Sequence, residues 1–170
     1  MTADIAIQAA LTGHLVLSSL HTNDAPSAIT RLLDIGVPPF LLNATLRGII
    51  AQRLLRTLCP HCKIPTPTPK TAWNEFAKPD KLKMPAKVFE PKGCEECRHT
   101  GYLGRAGIYE ILTPDTAVRE KITANANLDE LKALVKNNGM RTLKIGGAQK
   151  VADGLTTLEE VYSVIPQHDY

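Results

Sequence analysis

Three features are missing from this sequence of 170 residues, and each absence excludes a class of protein. No G-x4-G-K-[ST] motif is present, so no loop of this chain can hold a triphosphate through P-loop amides. No apolar run reaches the ~18 residues of a membrane span, and the first 14 residues lack the features of a signal peptide. Lys and Arg form no long run and the net charge is only +3, which argues against nucleic-acid binding. We therefore predict a cytoplasmic protein with reduced thiols.

The composition is that of a folded globular protein with one or two compact domains. Apolar residues make up 44 % of the chain and charged residues 22 %, which is typical of this class. Periodicity and turn residues predict a helix over 2–12, a buried strand over 14–20, a helix over 27–36, a long helix over 40–58, a short helix over 71–78, a strand over 106–112 and helices in the remainder. The predicted N-caps are Asp24, Asn127 and Thr156, and residues 166–170 are predicted to fray.

The segment over 63–93 is rich in proline and is flanked by two cysteine pairs. Its 31 residues contain six prolines, and the run IPTPTPK is predicted to have no regular structure because proline lacks an N–H donor and restrains its predecessor. An ordered loop of this length is rare unless something holds its ends together. The two C-x2-C pairs lie at those ends.

The first pair, Cys59-Pro-His-Cys62, has the spacing of a thiol-oxidant motif as well as that of half a zinc site. Catalytic redox chemistry needs the first cysteine at the N-terminus of a helix, where the dipole lowers its pKa. Here a helix is predicted to end at Leu58, and prolines prevent another from following. The pattern therefore favours a metal site over redox chemistry.

The only four cysteines of the sequence, Cys59, Cys62, Cys94 and Cys97, match the ligand set of a structural zinc ion. The spacer is longer than the usual ~15–20 residues, although loop closure becomes only slowly more costly with length. Two reduced structural pairs without metal are the alternative. His61 and His99 lie beside the cysteines, and we expect both to face solvent or to contact the ligands from outside.

Two further histidines, His14 and His21, flank the predicted strand. If the residues between them are extended, the two rings lie ~20 Å or more apart and do not share one ligand. Ligands of α/β proteins gather at the carboxyl ends of strands, and His21 with Thr22, Asn23 and Asp24 follows that end. A histidine with a purely structural role is the alternative for each.

Four stretches together resemble the C-terminal part of the ATPases of type II secretion and type IV pilus assembly. They are AALTGHLVLSSLHTNDAPSAITRLLDIGVPPFLL, AQRLLRTLCPHC, GCEECRHTGYLGRAGIYEIL and DGLTTLEEVYSV, in that order. GHLVLSSLHTND is similar to the histidine box of this family, and the C-x2-C pairs are similar to its tetracysteine zinc motif. The likeness runs almost from end to end and is weakest in the linker rich in proline and lysine.

The resemblance implies an α/β fold, namely the C-terminal portion of a RecA-like P-loop ATPase core. On this reading residues 1–58 belong to the core, 59–97 form a tetracysteine zinc subdomain, and 98–170 form a strand with a helical C-terminal part. It implies zinc on the four cysteines, and ATP and Mg²⁺ for the parent protein only. It also implies a homo-hexamer that works on inner-membrane platform proteins from the cytoplasmic side.

The resemblance further assigns His21 and His14 to the neighbourhood of the γ-phosphate or the subunit interface. Arg53 and Arg105 are candidates for interface contacts, with structural salt bridges as the alternative. The P-loop and acidic boxes of the family precede the point at which this sequence begins. We therefore expect that this chain alone binds ATP weakly or not at all and does not hydrolyse it.

Two other functions are consistent with the residues alone. One is a free-standing zinc-bearing module that binds a protein partner of the same apparatus. The other is a zinc module for nucleic acid, which the mild charge and the lack of aromatic or arginine clusters beside the cysteines oppose.

Overall fold

The computed structural model describes residues 2–77 and 82–165, which form a mixture of helices and strands. The helices are α1 (Thr2–Leu11), α2 (Ala25–Asp34), α3 (Pro39–Thr45), α4 (Lys70–Ala77), α5 (Thr116–Thr123), α6 (Leu128–Asn137), α7 (Leu143–Ala152) and α8 (Leu158–Val164). The strands are β1 (Ile49–Leu58), β2 (Ile64–Pro67), β3 (Lys87–Glu90) and β4 (Tyr102–Leu112). No helix within these residues is long and apolar enough to cross a membrane. The predicted frayed end, 166–170, lies outside the described residues.

The chain forms two compact units, each made of two stretches of sequence. The first unit comprises Met1–Ala51 and Glu110–Arg141, and the second comprises Gln52–Tyr109 and Thr142–Tyr170. β1 and β4 pair with each other, and β2 pairs with β3. The division of the chain into residues 1–58, 59–97 and 98–170 stays a prediction.

The first unit is a group of short helices around a shared apolar core. α3 contacts α1 and α5, and α6 contacts α2 and α5. The fully or almost fully buried side chains include Ile29, Leu42, Ile122 and Leu131. Each of these helices is too short to be stable alone, so the burial of one apolar face stabilises it.

The second unit packs α7 and α8 against the segment between the two cysteine pairs, which carries α4 and β3. Its core contains Leu55 of β1, Ile108 of β4, Trp73 and Phe76 of α4, and Val161 of α8. α7 contacts α4, α8 and β3. The short helix predicted over 71–78 is confirmed as α4, and its two aromatic rings supply much of this core.

A buried carboxylate, that of Glu160, joins α8 to β1 within the second unit. It accepts hydrogen bonds from the backbone N–H of Arg56 at 2.9 Å and from Arg56 Nε at 2.8 Å. The Arg56 guanidinium also lies 4.3 Å from the ring centroid of Tyr102. Burial raises the pKa of Glu160, but the hydrogen bonds from Arg56 outweigh that effect and hold the pKa below its ordinary value.

The long helix predicted over 40–58 is wrong, because the helix ends at Thr45 and β1 begins at Ile49. Apolar residues in this stretch recur at three- to four-residue steps, which is the pattern of a helix. In the fold, β1 pairs with β4 and its residues alternate in exposure as far as Leu55. The strand predicted over 106–112 is confirmed and begins earlier, at Tyr102. Pairing with a strand distant in sequence thus overrode the local pattern.

The buried strand predicted over 14–20 is also not observed. These residues belong to no helix or strand and are exposed, with Leu15 at 79 % and Leu17 at 87 % of full exposure. A strand needs a partner for its backbone groups, and no described residue pairs with this segment.

The expectation that IPTPTPK has no regular structure is wrong for its first four residues. Ile64–Pro67 form β2, which pairs antiparallel with β3 so that Ile64 faces Glu90 and Thr66 faces Val88. Only alternate residues of a strand turn their N–H groups toward the partner. Prolines at positions 65 and 67 therefore leave the N–H groups of Ile64 and Thr66 available for the ladder.

Two predicted helix starts are confirmed and one is displaced by a residue. Asp24 Oδ1 accepts from the N–H of Ser27, and Asn127 Oδ1 accepts from the N–H of Glu130. At α8 the N-cap is Thr157 rather than Thr156. Thr156 is buried and donates instead to the carbonyl of Arg56 at 2.8 Å, and this tertiary bond shifts the cap.

Two adjacent glycines of α7 offer a matched test of the packing in the second unit. A Cβ on Gly147 would lie 2.4 Å from Val161 Cγ1, whereas one on Gly146 would lie 3.5 Å from Ile108 Cβ. We expect Gly147→Ala to lower the free energy of unfolding by about 1–3 kcal/mol, because the branched Val161 side chain cannot move aside cheaply. Gly146→Ala should be neutral or stabilising by up to about 1 kcal/mol, since alanine is the better helix former. Urea titrations of both variants check this, and equal effects would contradict the close packing.

The Glu160 carboxylate predicts a dependence of stability on pH. Its pKa is lower in the folded chain than its ordinary value of 4.5, so its contribution is complete above pH 4.5 and disappears as the pH falls through the folded pKa. We expect Glu160→Gln to lower the free energy of unfolding at neutral pH by about 1–3 kcal/mol and to flatten the decline in acid. The exposed neighbour provides the control, because Glu159→Gln should reproduce the wild-type profile in denaturant titrations at several pH values.

Candidate metal centre

The four cysteines lie on two tight turns of the second unit. Cys59 directly follows β1, and the N–H of Lys63 donates to its carbonyl at 3.1 Å. The second turn has the same form, since the N–H of His99 donates to the carbonyl of Cys94 at 2.8 Å. A 3-10 turn over Glu95–Cys97 carries the last cysteine. Each C-x2-C spacing thus folds its two thiols toward one point.

The four sulfur atoms form a compact group. The Sγ–Sγ distance is 3.9 Å for Cys59 and Cys94, 3.8 Å for Cys62 and Cys97, and 3.8 Å for Cys94 and Cys97. All four atoms lie within 4.8 Å of one another, and all four cysteines are free of disulfides. Tetrahedral Zn²⁺ with Zn–S bonds of about 2.3 Å would place its sulfur ligands about 3.8 Å apart. The arrangement fits a four-thiolate metal site.

Backbone N–H groups point at one of the sulfurs, as expected for a thiolate. Cys97 Sγ lies 3.2 Å from the N–H groups of both Cys94 and Gly101. Burial raises the pKa of Cys97, but these donors outweigh it and lower the pKa to about 6. Burial raises the pKa of Cys62 to about 11, and hydrogen bonds with the neighbouring thiols add to the rise. The Cys97 thiol is therefore more acidic than the Cys62 thiol.

The second turn depends on two glycines. Gly93 and Gly101 have positive φ, and a Cβ on Gly101 would lie 2.3 Å from Pro91 Cβ. Arg98 and His99 also adopt left-handed backbone angles, with φ of 52° and 61°. This tight turn places the N–H of Gly101 next to Cys97 Sγ. The strained backbone thus positions a hydrogen-bond donor for the sulfur.

His61 and His99 are both exposed, and the group of possible ligands contains the four cysteines alone among the described residues. Cys59 follows a strand and precedes a turn, so it does not start a helix. The first cysteine of the pair therefore does not occupy the helix N-terminus that lowers the pKa of a redox cysteine. The helix predicted to end at Leu58 was wrong, but the argument against redox chemistry does not depend on it.

The cluster ties together parts of the second unit that are distant in sequence. The N–H of Cys59 donates to the carbonyl of Gly101 at 2.9 Å. Next to it, Lys63 Nζ donates to the carbonyl of Gly154 at 2.8 Å and lies 4.7 Å from the Phe89 ring centroid. The cysteines thus bring the two ends of the segment over 63–93 together, and Lys63 joins one of these ends to the α7–α8 connection.

The two histidines of the GHLVLSSLHTND stretch lie in the first unit, outside its helices and strands. His14 follows α1, is exposed, and has Nδ1 3.1 Å from Thr12 Oγ1 and 3.3 Å from the carbonyl of Ala9. His21 is exposed and forms no hydrogen bond with another described residue. Their roles at a phosphate stay predictions.

Helix α2 begins at Ala25, shortly after His21. Lys132 and Glu110, which bind the residues at its start, were not identified from the sequence. Asp24 is buried, and its Oδ2 lies 2.8 Å from Lys132 Nζ. The N–H of Ala25 donates to the buried carboxylate of Glu110 at 3.0 Å. Burial raises the pKa of Asp24, but the hydrogen bonds from Lys132 and Ser27 outweigh it and lower the pKa. Glu110 lies among apolar residues of β4, which was the available signal.

Arg53 and Arg105 lie on the paired strands β1 and β4. Arg53 is half-buried, whereas Arg105 is exposed and forms no ion pair with a described residue. The interface role suggested for both arginines stays a prediction.

Comparisons with known proteins identify the family of this chain. The family model described as type II/IV secretion system protein matches residues 1–163. The chain is 52 % identical over 165 residues to the type IV pilus assembly ATPase TfpB of Acinetobacter baylyi, covering 97 % of this chain and 28 % of that protein. It is 47 % identical over 163 residues to type II secretion system protein E of Aeromonas hydrophila, covering 96 % and 32 %.

A solved structure gives the same result. The pilus retraction motor PilT with bound ADP aligns with a TM-score of 0.63 and 27 % identity, over 98 % of this chain and 37 % of that one. The chain thus spans about a third or less of the length of these relatives. Because the family model covers nearly all of the sequence, the chain belongs to the type II/IV secretion system protein family.

Proposed function

We propose that this chain is the C-terminal segment of a hexameric motor ATPase that powers type II secretion or type IV pilus assembly. The observation that carries the proposal is the 52 % identity to a pilus assembly ATPase over 97 % of this chain. On this proposal the segment belongs to a RecA-like core, is cytoplasmic, and acts on inner-membrane platform proteins. The parent protein uses ATP and Mg²⁺.

In this proposal His21 acts next to the γ-phosphate. A neutral imidazole donates to a phosphate oxygen or orients water, and both charge states of histidine are accessible near neutral pH. Its exposure and its lack of a hydrogen-bond partner among the described residues leave the ring available for such a contact. His14 is the second candidate, and its Nδ1 is already engaged near Thr12 and Ala9.

The proposed metal is a structural zinc ion held by Cys59, Cys62, Cys94 and Cys97. The donor set is four thiols, and the sulfur spacing suits a tetrahedral ion. When bound, the ion supplies cross-linking and no reaction chemistry. The residues themselves close the segment over 63–93 and orient it through the N–H of Cys59 and the Lys63 ammonium.

The second candidate is a free-standing zinc-bearing module that binds a protein of the same apparatus. The observation in its favour is the group of four cysteines, which can hold a structural zinc ion without an ATPase core. The two candidates differ in whether these residues can work inside an ATPase.

A chimera tests the motor proposal. The chain replaces the 28 % of Acinetobacter baylyi TfpB that it matches, and magnesium-dependent ATP hydrolysis is measured. We expect hydrolysis by the chimera, and the 170-residue chain alone should remain at background. His21→Ala in the chimera should lower kcat by about 100-fold or more, with a smaller change in KM, if the ring contacts the phosphate in the transition state.

The matched control in the chimera is His61→Ala, since His61 is exposed and belongs to the second unit. This variant should retain full activity. A folded chimera without activity would contradict the motor proposal and favour the interaction module. Equal effects of the two histidine substitutions would argue against a role of His21 at the phosphate.

Native mass spectrometry of the chain tests the metal. We expect one zinc ion per chain as purified, lost with chelator together with the fold of the second unit, because such binding contributes on the order of 10 kcal/mol to folding. Cys97→Ser should abolish stoichiometric zinc, whereas His61→Ala should retain it. A metal-free mass lowered by two or four hydrogens would instead indicate disulfides and contradict the site.

A further inference from the structure

Helix α6 ends at the only Asn-Gly pair of the sequence, Asn138-Gly139. Asparagine before glycine is especially prone to deamidation, because glycine has no side chain that hinders the approach of its amide nitrogen to the asparagine side chain. Both residues are exposed, so water and hydroxide reach them. The pair therefore carries a reactivity that neither the metal centre nor the proposed motor function uses.

The turn at the end of α6 holds this pair in an unreactive shape. Gly139 has φ of 83°, and its N–H donates to the carbonyl of Lys136 at 3.0 Å. The N–H of Met140 donates to the carbonyl of Val135 at 2.9 Å and completes the turn. Asn138 has ψ of 4°, which places the nitrogen of Gly139 beside the backbone nitrogen of Asn138 and away from its side chain. Attack on Asn138 Cγ therefore requires this turn to open.

A hydrogen bond to the start of α5 also holds the side chain of Asn138. Asn138 Nδ2 donates to Asp115 Oδ2 at 2.9 Å. The other oxygen of the carboxylate, Asp115 Oδ1, accepts from the N–H of Val118 and caps α5. Asp115 thus joins the end of α6 to the start of α5, and these two helices contact each other in the first unit. Because the acceptor is charged, this bond is stronger than one between neutral groups.

We propose that Asn138 is a site of spontaneous deamidation in the folded chain, and that its hydrogen bond to Asp115 slows the reaction. The amide nitrogen of Gly139 loses its proton and attacks Asn138 Cγ, so that a new C–N bond closes a five-membered imide. The Cγ–Nδ2 bond breaks, and ammonia leaves with a proton from the solvent. Water then hydrolyses the imide at either carbonyl and leaves aspartate or isoaspartate at position 138. This proposal does not depend on the motor function.

The product places a second carboxylate next to Asp115. The new negative charge is repelled by Asp115 and lies at the C-terminal end of α6, where the helix dipole disfavours it. Helix α6 also carries Lys132, which pairs with Asp24 at the start of α2. Deamidation therefore weakens the attachment of α6 to α5 within the first unit.

Peptide mapping by mass spectrometry tests the site and the role of Asp115. The 170-residue chain, with zinc and reductant, is incubated in mildly alkaline buffer, and conversion is followed at each asparagine. We expect Asn138 to react faster than the other asparagines, and more slowly in buffer than in urea, where the turn is absent. Asp115→Ser should raise the rate at Asn138 in buffer by about 3- to 10-fold, because serine still caps α5 but offers no second oxygen to the Asn138 amide.

The matched control is Asp34→Ser, which replaces an exposed aspartate of the same unit and should leave the rate at Asn138 unchanged. In urea the wild type and both variants should react equally at Asn138, since only the folded state contains the hydrogen bond. Circular dichroism checks that both variants fold.

The effect of the product is measured on two further variants. Asn138→Asp reproduces the aspartate product, and Asn137→Asp places the same charge at the neighbouring exposed position. We expect Asn138→Asp to melt about 2–4 °C below Asn137→Asp, because residue 138 is the one that contacts Asp115.

Four outcomes would overturn the proposal. They are no conversion at Asn138 in the folded chain, equal rates in buffer and in urea, equal rates for the wild type and Asp115→Ser in buffer, and equal melting temperatures of the two aspartate variants. The first two need the wild type alone, and the last does not need Asp115→Ser, so the proposal stays testable if that variant fails to fold.

Discussion

The convergence of four thiols within 4.8 Å is the constraint on which the second unit depends. Among its described residues, 63–77 and 82–93, the segment between the cysteine pairs has one helix, two four-residue strands and much irregular chain. Such a segment gains little from local structure, so a cross-link at its ends stabilises it at a small cost in loop entropy. The segment also supplies part of the core of the second unit, because Trp73 and Phe76 belong to both.

Buried carboxylates also join parts of the chain that are distant in sequence, and each contributes less free energy than a bound metal ion would. The Glu160 carboxylate accepts hydrogen bonds from the backbone and from the side chain of Arg56. The carboxylates of Glu110 and Asp24 accept hydrogen bonds from N–H groups at the start of α2. Each of these groups is buried and satisfied, which is the condition under which a buried charge does not destabilise a fold. The stretch after His21 is therefore held in place at Asp24, three residues from the ring.

The two misread segments, 14–20 and 40–58, share one physical cause. A short apolar run does not by itself determine whether it forms a helix or a strand, because the choice depends on what pairs with it. Residues 49–58 gain β4 as a partner and become a strand. Residues 15–20 pair with no described strand and stay irregular and exposed, although they contain the stronger strand pattern.

Short-range chemistry was legible in the sequence alone: the cysteine spacing behind the four-thiol cluster, the caps at Asp24 and Asn127, the helix α4, and the resemblance that identified the family. Each C-x2-C pair, each cap and the helix α4 depend on residues a few positions apart, and the resemblance rests on short motifs in a fixed order. Only the tertiary structure decided that Ile49–Leu58 is a strand, that Thr156 binds Arg56 and leaves the cap to Thr157, and that Lys132 and Glu110 support α2. In each of these cases the partners lie roughly 50 to 100 positions apart along the chain, and local propensity cannot register so distant a partner.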